Sequence, residues 1–384
     1  MIDRREMIVS GALALTALKS TSAPAANALA GFVEAERSKA DIPGLAVGFA
    51  RNGRVHWMQG FGLADMATGR RVRADTVFPI ASITKTVTAT MIMRLASSGR
   101  FKIDDPIAPF LDFPVVNPRH PNDAITFRHL MMHISSLSDT KYYEVDFRVR
   151  GRDATTSLRD HLASLLVPGG SYYSADGCYA PHRPGEVTDY CNTGYGLLGY
   201  LIERITGVDG RLAIDRHILK PLGIKRAGWR LADIPTGRLA TPYDIVDGKA
   251  VVTPDLDSPG WPAGSIRISA AELTRFVAAS ANGGVAGGVR ILDASSMADM
   301  LDMKQPTGLP TWITGQGLAW QEAKLGTANR ANHWGGSIGI FTAAYLDPQR
   351  RTGVAILTNA TATQKSKDAI RAIAQHILDG ATDK

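Results

Sequence analysis

Strand-like segments stand near both ends of this 384-residue chain, and the stretch between them reads mostly as helix and loop. Near the N-terminus, apolar runs at 44–50 and 55–60 flank Arg51-Asn52-Gly53-Arg54. An Asn-Gly pair between such runs predicts a β-hairpin. Near the C-terminus, 341–346 and 353–357 flank Asp347-Pro348-Gln349-Arg350 and predict a second hairpin. A final helix follows, with Ile370, Ile373 and Ile377 on one face. From 101 to about 244 the pattern is helices joined by Pro- and Gly-rich loops. The expected architecture is therefore α/β: an antiparallel sheet flanked by terminal helices, built from 29–100 and 245–384, closing around a mostly helical domain at 101–244. Residues 141–184, rich in Tyr, Arg and Gly, read either as a pocket-shaping excursion or as a plain surface loop.

The composition, 45% hydrophobic and 21% charged, is that of an ordinary globular chain. The net charge of +7 is scattered, with Arg148, Arg150 and Arg152 the one notable cluster. Nucleic-acid binders concentrate their basic residues, so no nucleic-acid partner is expected. Arg4-Arg5 precedes an apolar run at 7–18, then small residues with Ala26-Asn27-Ala28. Residues 1–28 thus read as a twin-arginine-like signal, implying a periplasmic or secreted protein; a frayed cytosolic N-terminus is the alternative. The run is short for a bilayer span, and no later segment is apolar for long enough, so no stable membrane anchor is expected once the signal is removed. Cys178 and Cys191 are too few for a disulfide framework. Free thiols are expected, although export would permit a bond. Neither cysteine has metal-ligand spacing and no His-Glu-x-x-His occurs, so neither a metal nor a cofactor is expected.

Ser82-Ile83-Thr84-Lys85 opens an apolar periodic run with Val87, Met91 and Leu95 on one face and Gly99 as a stop. Residues three apart on a helix are neighbours, so Lys85 can reach the Ser82 hydroxyl. An amine held away from water loses proton affinity and can take the serine proton. By itself the spacing favours a plainer reading, a serine opening an ordinary helix beside a solvated lysine. Further along come Tyr190-Cys191-Asn192, before an amphipathic run at 195–206, and His333-Trp334-Gly335-Gly336-Ser337, before a strand-like stretch.

In this order the three motifs resemble the serine β-lactamase and penicillin-binding superfamily, which carries Ser-x-x-Lys, Tyr-x-Asn and Lys-Thr-Gly or a variant. The likeness is strongest to class C β-lactamases, D-peptidases and the esterases called family VIII, and it covers nearly the whole chain past the signal. Phe78-Pro79-Ile80-Ala81, the segment from Thr126 to His133, and Pro262-Ala263-Gly264-Ser265 fit as well. The family's His-Thr-Ser-Gly-Leu segment departs here to His133-Ile134-Ser135-Ser136-Leu137.

The resemblance implies a two-domain fold and an acyl-enzyme mechanism. Ser82 would be the nucleophile and Lys85 its base. Tyr190 would shuttle protons and activate water, with a phenol acidity raised by the neighbouring ammonium. Asn192 would bind Lys85 or a substrate carbonyl. The oxyanion hole would use the backbone N–H groups of Ser82 and Ser337, with Gly335 and Gly336 allowing close approach of a strand edge. An ungapped register puts Trp334, an apolar wall, where β-lactamases hold a lysine. A one-residue shift gives His333-x-Gly335 instead. The expected substrate is a small carboxylic ester. The alternative is a peptide or amide, such as a D-residue or linearised cyclic peptide; a penicillin-binding receptor or weak β-lactamase is a further reading.

One competing pattern is Gly335-Gly336-Ser337-Ile338-Gly339 with Asp347 and His376, in α/β-hydrolase order. That nucleophile requires a strand–turn–helix elbow, whereas an extended run follows Ser337.

Overall fold

The structure is a computed structural model that describes residues 23–380. The signal expected at 1–28 therefore lies outside the described residues up to 22; Ala26-Asn27-Ala28 lies in the first turns of helix α1 (Ala23–Lys39). In chain order there follow β1 (Gly44–Arg51), β2 (Arg54–Asp65), β3 (Arg70–Arg71), α2 (Thr84–Ser97), α3 (Asn192–Thr206) and α4 (Ala270–Ala281). The chain returns to the sheet with β4 (Gly315–Gln316), β5 (Gln321–Leu325), β6 (Ala328–Ser337), β7 (Ile340–Asp347) and β8 (Thr352–Thr358), and ends in α5 (Gln364–Leu378).

These strands form one eight-stranded sheet in the order β4-β5-β6-β7-β8-β1-β2-β3. Every pairing in it is antiparallel, so the two hairpins meet where β1 runs beside β8. The Asn52-Gly53 turn has positive φ at both residues, 51° and 72°, as a two-residue hairpin turn requires. Period-two alternation then divides the side chains. Leu45, Val47 and Phe49 face Leu29 and Val33 of α1 and Ile370, Ile373 and Ile377 of α5. Ala46 and Ala50 face the other way, into a core shared with the helical region. On that face glycines let α4 lie close. A Cβ at Gly48 would sit 2.2 Å from Thr274 Oγ1, and one at Gly353 2.4 Å from Val277 Cγ1.

Helix α2 is buried on every side rather than along one stripe. Its four threonines are tolerated there because each finds a backbone partner: Thr86 donates to Ile83, Thr88 to Pro262 and Thr90 to Thr86, while Thr84 accepts from the Ile266 N–H. Helix α3 packs beside it, with Gly199 so near Pro262 that a Cβ would approach to 2.1 Å. Within 141–184 only short elements form, among them Thr140–Val145 and Leu158–Leu166. No helix among the described residues is long and apolar enough to cross a membrane. The basic charge is less scattered in space than along the chain: Arg94, Arg100, Arg216 and Arg290 line one surface groove.

Candidate active site

Ser82 lies in a 3₁₀ turn, Ala81–Ile83, that runs directly into α2. Ala81 before it holds φ at +45°, a left-handed conformation that costs a non-glycine residue about 1–3 kcal/mol. The first N–H groups of such a turn have no partner within it, which leaves the Ser82 N–H available to a ligand. One turn on, Lys85 is fully buried. Its Nζ lies 3.1 Å from Ser82 Oγ, 2.8 Å from Asn192 Oδ1 and 2.7 Å from the Ala263 carbonyl. Burial is the main force on this amine and pulls its pKa down to about 7, against the opposing influence of Asp139 and Cys191. A neutral amine has two protons and one lone pair. The two carbonyl oxygens take the protons, and the lone pair is left for the Ser82 O–H.

Asn192 is fixed by the start of α3. The buried Asp139 carboxylate accepts from the backbone N–H groups of Asn192 and Thr193, the Thr193 hydroxyl at 2.7 Å and the Cys191 thiol at 3.2 Å. An anion at a helix N-terminus also suits the helix dipole. The Asn192 amide N–H₂ donates to the Tyr143 hydroxyl at 2.9 Å. Asp139 and Tyr143 are site residues that the sequence reading did not single out. No motif marks either, because both reach the site by tertiary packing. Cys191 also accepts from the Gly194 N–H, capping α3. Both cysteines are free thiols, and burial pushes the acidity of each down.

Ser82 lies close enough to the Tyr190 hydroxyl to act on its acidity, and Lys85 Nζ stands 4.9 Å from the Tyr190 ring centroid. The expectation of an unusually acidic phenol does not hold. Burial dominates and pushes the Tyr190 pKa up, outweighing the opposing influence of Ser82. Tyr190 therefore keeps its proton at neutral pH and is suited to donate it. Its ring stacks on His133 with centroids 4.3 Å apart.

The third motif occupies the end of β6, where two expectations are corrected. Side chains alternate along a strand, so His333 and Trp334 point to opposite faces. His333 faces the catalytic side: it is fully buried and feels the charge of Lys85. Trp334 instead packs with the residues under α1 and α5, meeting Phe341 edge-on and donating its indole N–H to Tyr345 at 2.8 Å. His333-x-Gly335 is therefore the register that presents a side chain to the site. Gly335 follows on the same face, where a Cβ would meet the Ile80 carbonyl at 2.1 Å.

The second correction concerns the oxyanion hole. Ser337 pairs with Ile340 across a two-residue turn, and such a closing pair exchanges its N–H and C=O groups. The Ser337 N–H is thus committed to β7. The next residue back, Gly336, points its N–H the other way, toward a side that β5 no longer covers, since its pairing with β6 ends at Asn332. Gly336, not Ser337, offers the free N–H beside Ser82.

Two cavities meet at Gly336. One, of about 240 Å³, is lined by Ser82, Asn192, Tyr143, Arg148 and Ser337. The other, of about 570 Å³, is lined by Tyr190, His133, His333, Trp312 and Trp334. The competing nucleophile elbow does not assemble. Ser337 ends a strand that turns into another strand, Asp347 pairs with Arg330, and His376 stacks on Phe32 of α1. Among the described residues no cluster of His, Cys, Asp or Glu could hold a metal ion.

A family model described as Beta-lactamase matches residues 29–378. The chain belongs to the beta-lactamase family. Similar curated proteins include Penicillin-binding protein 4 of Amycolatopsis lactamdurans, 29% identical over 342 residues that cover 85% of this chain and 83% of that one. Protein flp of Staphylococcus aureus (strain MW2) is 25% identical over 64% of this chain, which spans about half (47%) of flp. Among solved structures, the octameric penicillin-binding protein homologue from Pyrococcus abyssi superposes with a TM-score of 0.76 at 23% identity, covering 93% of this chain and 77% of that one. The D-amino acid amidase of Ochrobactrum anthropi SV3, complexed with D-phenylalanine, gives 0.74 at 21%, over 93% and 99% of the two chains. EstCE1, a hydrolase with promiscuous acyltransferase activity, gives 0.73 at 19%, over 92% and 100%. These beta-lactamase-like structures share the fold, and the family includes esterases, amidases and penicillin-binding proteins that act as serine hydrolases.

Proposed function

We propose that this protein is an exported serine hydrolase that cleaves small carboxylic esters through an acyl-enzyme on Ser82. The observation that carries the reading is the buried Lys85 amine, set against Ser82 with its two other contacts both carbonyl oxygens. Neutral Lys85 takes the Ser82 proton as Oγ attacks the substrate carbonyl. The oxyanion accepts from the N–H groups of Ser82 and Gly336. Tyr190 donates its proton to the departing alkoxide and is reprotonated by the Lys85 ammonium. Water then enters and attacks the acyl carbonyl, passing a proton through Tyr190 to Lys85; as the bond from the acyl carbon to Ser82 Oγ breaks, the Lys85 ammonium returns that proton to Oγ and the acid is released.

His333 supports the ester reading over penicillin turnover. Burial, then Lys85, hold its pKa down to about 3, so it is neutral where a lysine would anchor a substrate carboxylate. The same machinery could cut an amide of a D-residue or non-standard peptide, as the likeness to D-amino acid amidase suggests. The N-terminal Arg4-Arg5 and apolar run support export.

Fluorophosphonate labelling with peptide mapping tests the assignment. A single adduct on Ser82, lost in Ser82→Ala together with turnover of an aryl butyrate, is the expected result. Label on Ser337 would refute it. Faster turnover of D-amino-acid anilides than of aryl butyrates would favour the amide reading.

A further inference from the structure

A surface groove of about 710 Å³ lies at the far end of α2 from Ser82, and Arg94, Arg100, Arg216 and Arg290 all line it. They come from three separate stretches of chain. Arg94 stands in the last turn of α2 and Arg100 just beyond it, Arg216 lies in the helical segment Asp215–Leu219, and Arg290 ends the short strand Val289–Arg290. At 1.5 Å per residue Arg94 is about 18 Å along the chain of turns from Ser82, so the groove is separate from the catalytic site. Arg94 is half-buried; Arg100, Arg216 and Arg290 are exposed and open to a ligand.

None of the four forms an ion pair with a carboxylate among the described residues, whereas Arg128, Arg148, Arg159 and Arg183 each do. One carboxylate, Asp293, shares the lining, but it already accepts from the hydroxyls of Ser295 and Ser296 and from the Ser296 N–H. Four positive charges thus stand against one negative charge. They also stand close together: His217, in the same lining, has its pKa held down by burial first and then by Arg94, Arg216 and Arg100. A cation at a helix C-terminus suits the helix dipole, which accounts for Arg94 and at most Arg100. It does not bring Arg216 and Arg290 to the same hollow, where like charges repel.

Backbone carbonyls hold three of the guanidinium groups in place. Arg94 donates to Ile291 at 2.7 Å, Arg100 to Ile205 at 3.0 Å, and Arg290 to Gly283 and Leu292 at 3.4 and 3.3 Å. Each of these bonds uses Nη1 and leaves the other donors of the fork free. Arg216 makes no hydrogen bond to a described residue.

We propose that this groove binds a soluble phosphate-bearing ligand, a phosphomonoester or a pyrophosphate. A guanidinium fork matches two phosphate oxygens, and a doubly charged group with three free oxygens engages forks that arrive from several directions. A carboxylate, with two oxygens and one charge, answers only part of this set. Small-molecule sites span about 300–1,000 Å³, so the groove has room for an organic group beside the phosphate. A lipid headgroup in a bilayer suits it less. The groove is concave, and of its apolar side chains only Val208 is exposed, while Leu95, Ile291 and Leu292 are buried rather than raised toward a membrane.

Isothermal titration calorimetry of the full chain with pyrophosphate and with phenyl phosphate, at low ionic strength, tests the proposal. Saturable binding of both is expected, about tenfold or more tighter than that of benzoate. Arg216→Glu breaks no hydrogen bond, so it should keep the wild-type Tm and weaken binding about tenfold or more; Arg290→Gln should weaken it less. Lys324→Glu, the same charge change at an exposed position of β5, should bind as wild type does. No saturable binding, or equal losses in Lys324→Glu and Arg216→Glu, would overturn the proposal. Competition between pyrophosphate and an aryl butyrate in initial rates would place the anion beside Ser82 and overturn it too. Sedimentation with phosphatidylglycerol vesicles, without binding of either soluble phosphate, would overturn it in favour of a membrane contact.

Discussion

Asp139 binds the first turn of α3 through the backbone N–H groups of Asn192 and Thr193, and so sets where the Asn192 amide meets Lys85 Nζ at 2.8 Å. The nucleophile's base is thereby positioned by a carboxylate that does not touch Ser82. Asp139→Asn would turn an acceptor that serves two backbone N–H groups, a hydroxyl and a thiol into one that presents an N–H₂ to some of them. The expected loss is about 2–4 kcal/mol of stability, with a lower kcat/KM. Denaturant unfolding and initial rates would check it; unchanged values for both would show that the N-terminus of α3 is held by packing alone.

Activity should rise with pH through a midpoint near 7. Lys85 must be neutral to accept the Ser82 proton, and burial lowers its pKa to about 7. Protonation below that value removes the base, so the acid limb of kcat/KM belongs to Lys85. The buried His133 and His333 are already neutral there and do not contribute. A pH profile of wild type gives the midpoint. Lys85→Arg, which stays protonated, should lose nearly all activity at every pH.

Neighbouring glycines of β6 should respond in opposite ways. A Cβ at Gly335 would press on the Ile80 carbonyl at 2.1 Å, at the entry to the turn that carries Ser82. Gly335→Ala should cost roughly 1–3 kcal/mol and most of the activity. A Cβ at Gly336 meets nothing within 4 Å, so Gly336→Ala should keep the wild-type Tm. Thermal unfolding of the two variants separates them.

The cysteines should be silent to a thiol reagent in the folded protein. Cys178 and Cys191 are each 1% exposed, and burial raises the pKa of both. Titration with Ellman's reagent should find no fast thiol in native protein and two after unfolding. Two reactive thiols under native conditions would contradict the capping geometry of Cys191.

Ser82 and Lys85 were legible through their helical spacing taken with the ordered motifs that resemble the family, and Tyr190 and Asn192 through that resemblance. Three residues on a helix bring a serine and a lysine together whatever surrounds them. Both hairpins were legible too, since alternation and an Asn-Gly turn are local. The third motif was misread by one residue for a non-local reason. Which of His333 and Trp334 faces the site depends on which face of the sheet the helices α1 and α5 cover, and strand alternation alone does not choose between faces. The oxyanion donor moved with it, because the direction of an N–H depends on the pairing register of β6 with β7. No motif marks Asp139, and Tyr143 was legible only as part of 141–184, the stretch read as a pocket-shaping excursion or a surface loop; both reach Asn192 from about fifty residues away.

The sequence by itself determined the order of the motifs and the strand and helix types, consequences of local periodicity and backbone preference, and it put Lys85 within reach of Ser82. Only the tertiary structure decided the acid–base state of the site. Burial makes Lys85 a weaker base than a solvated lysine and Tyr190 a weaker acid than a free phenol. Desolvation depends on what surrounds a group in three dimensions, and no spacing along the chain encodes that directly.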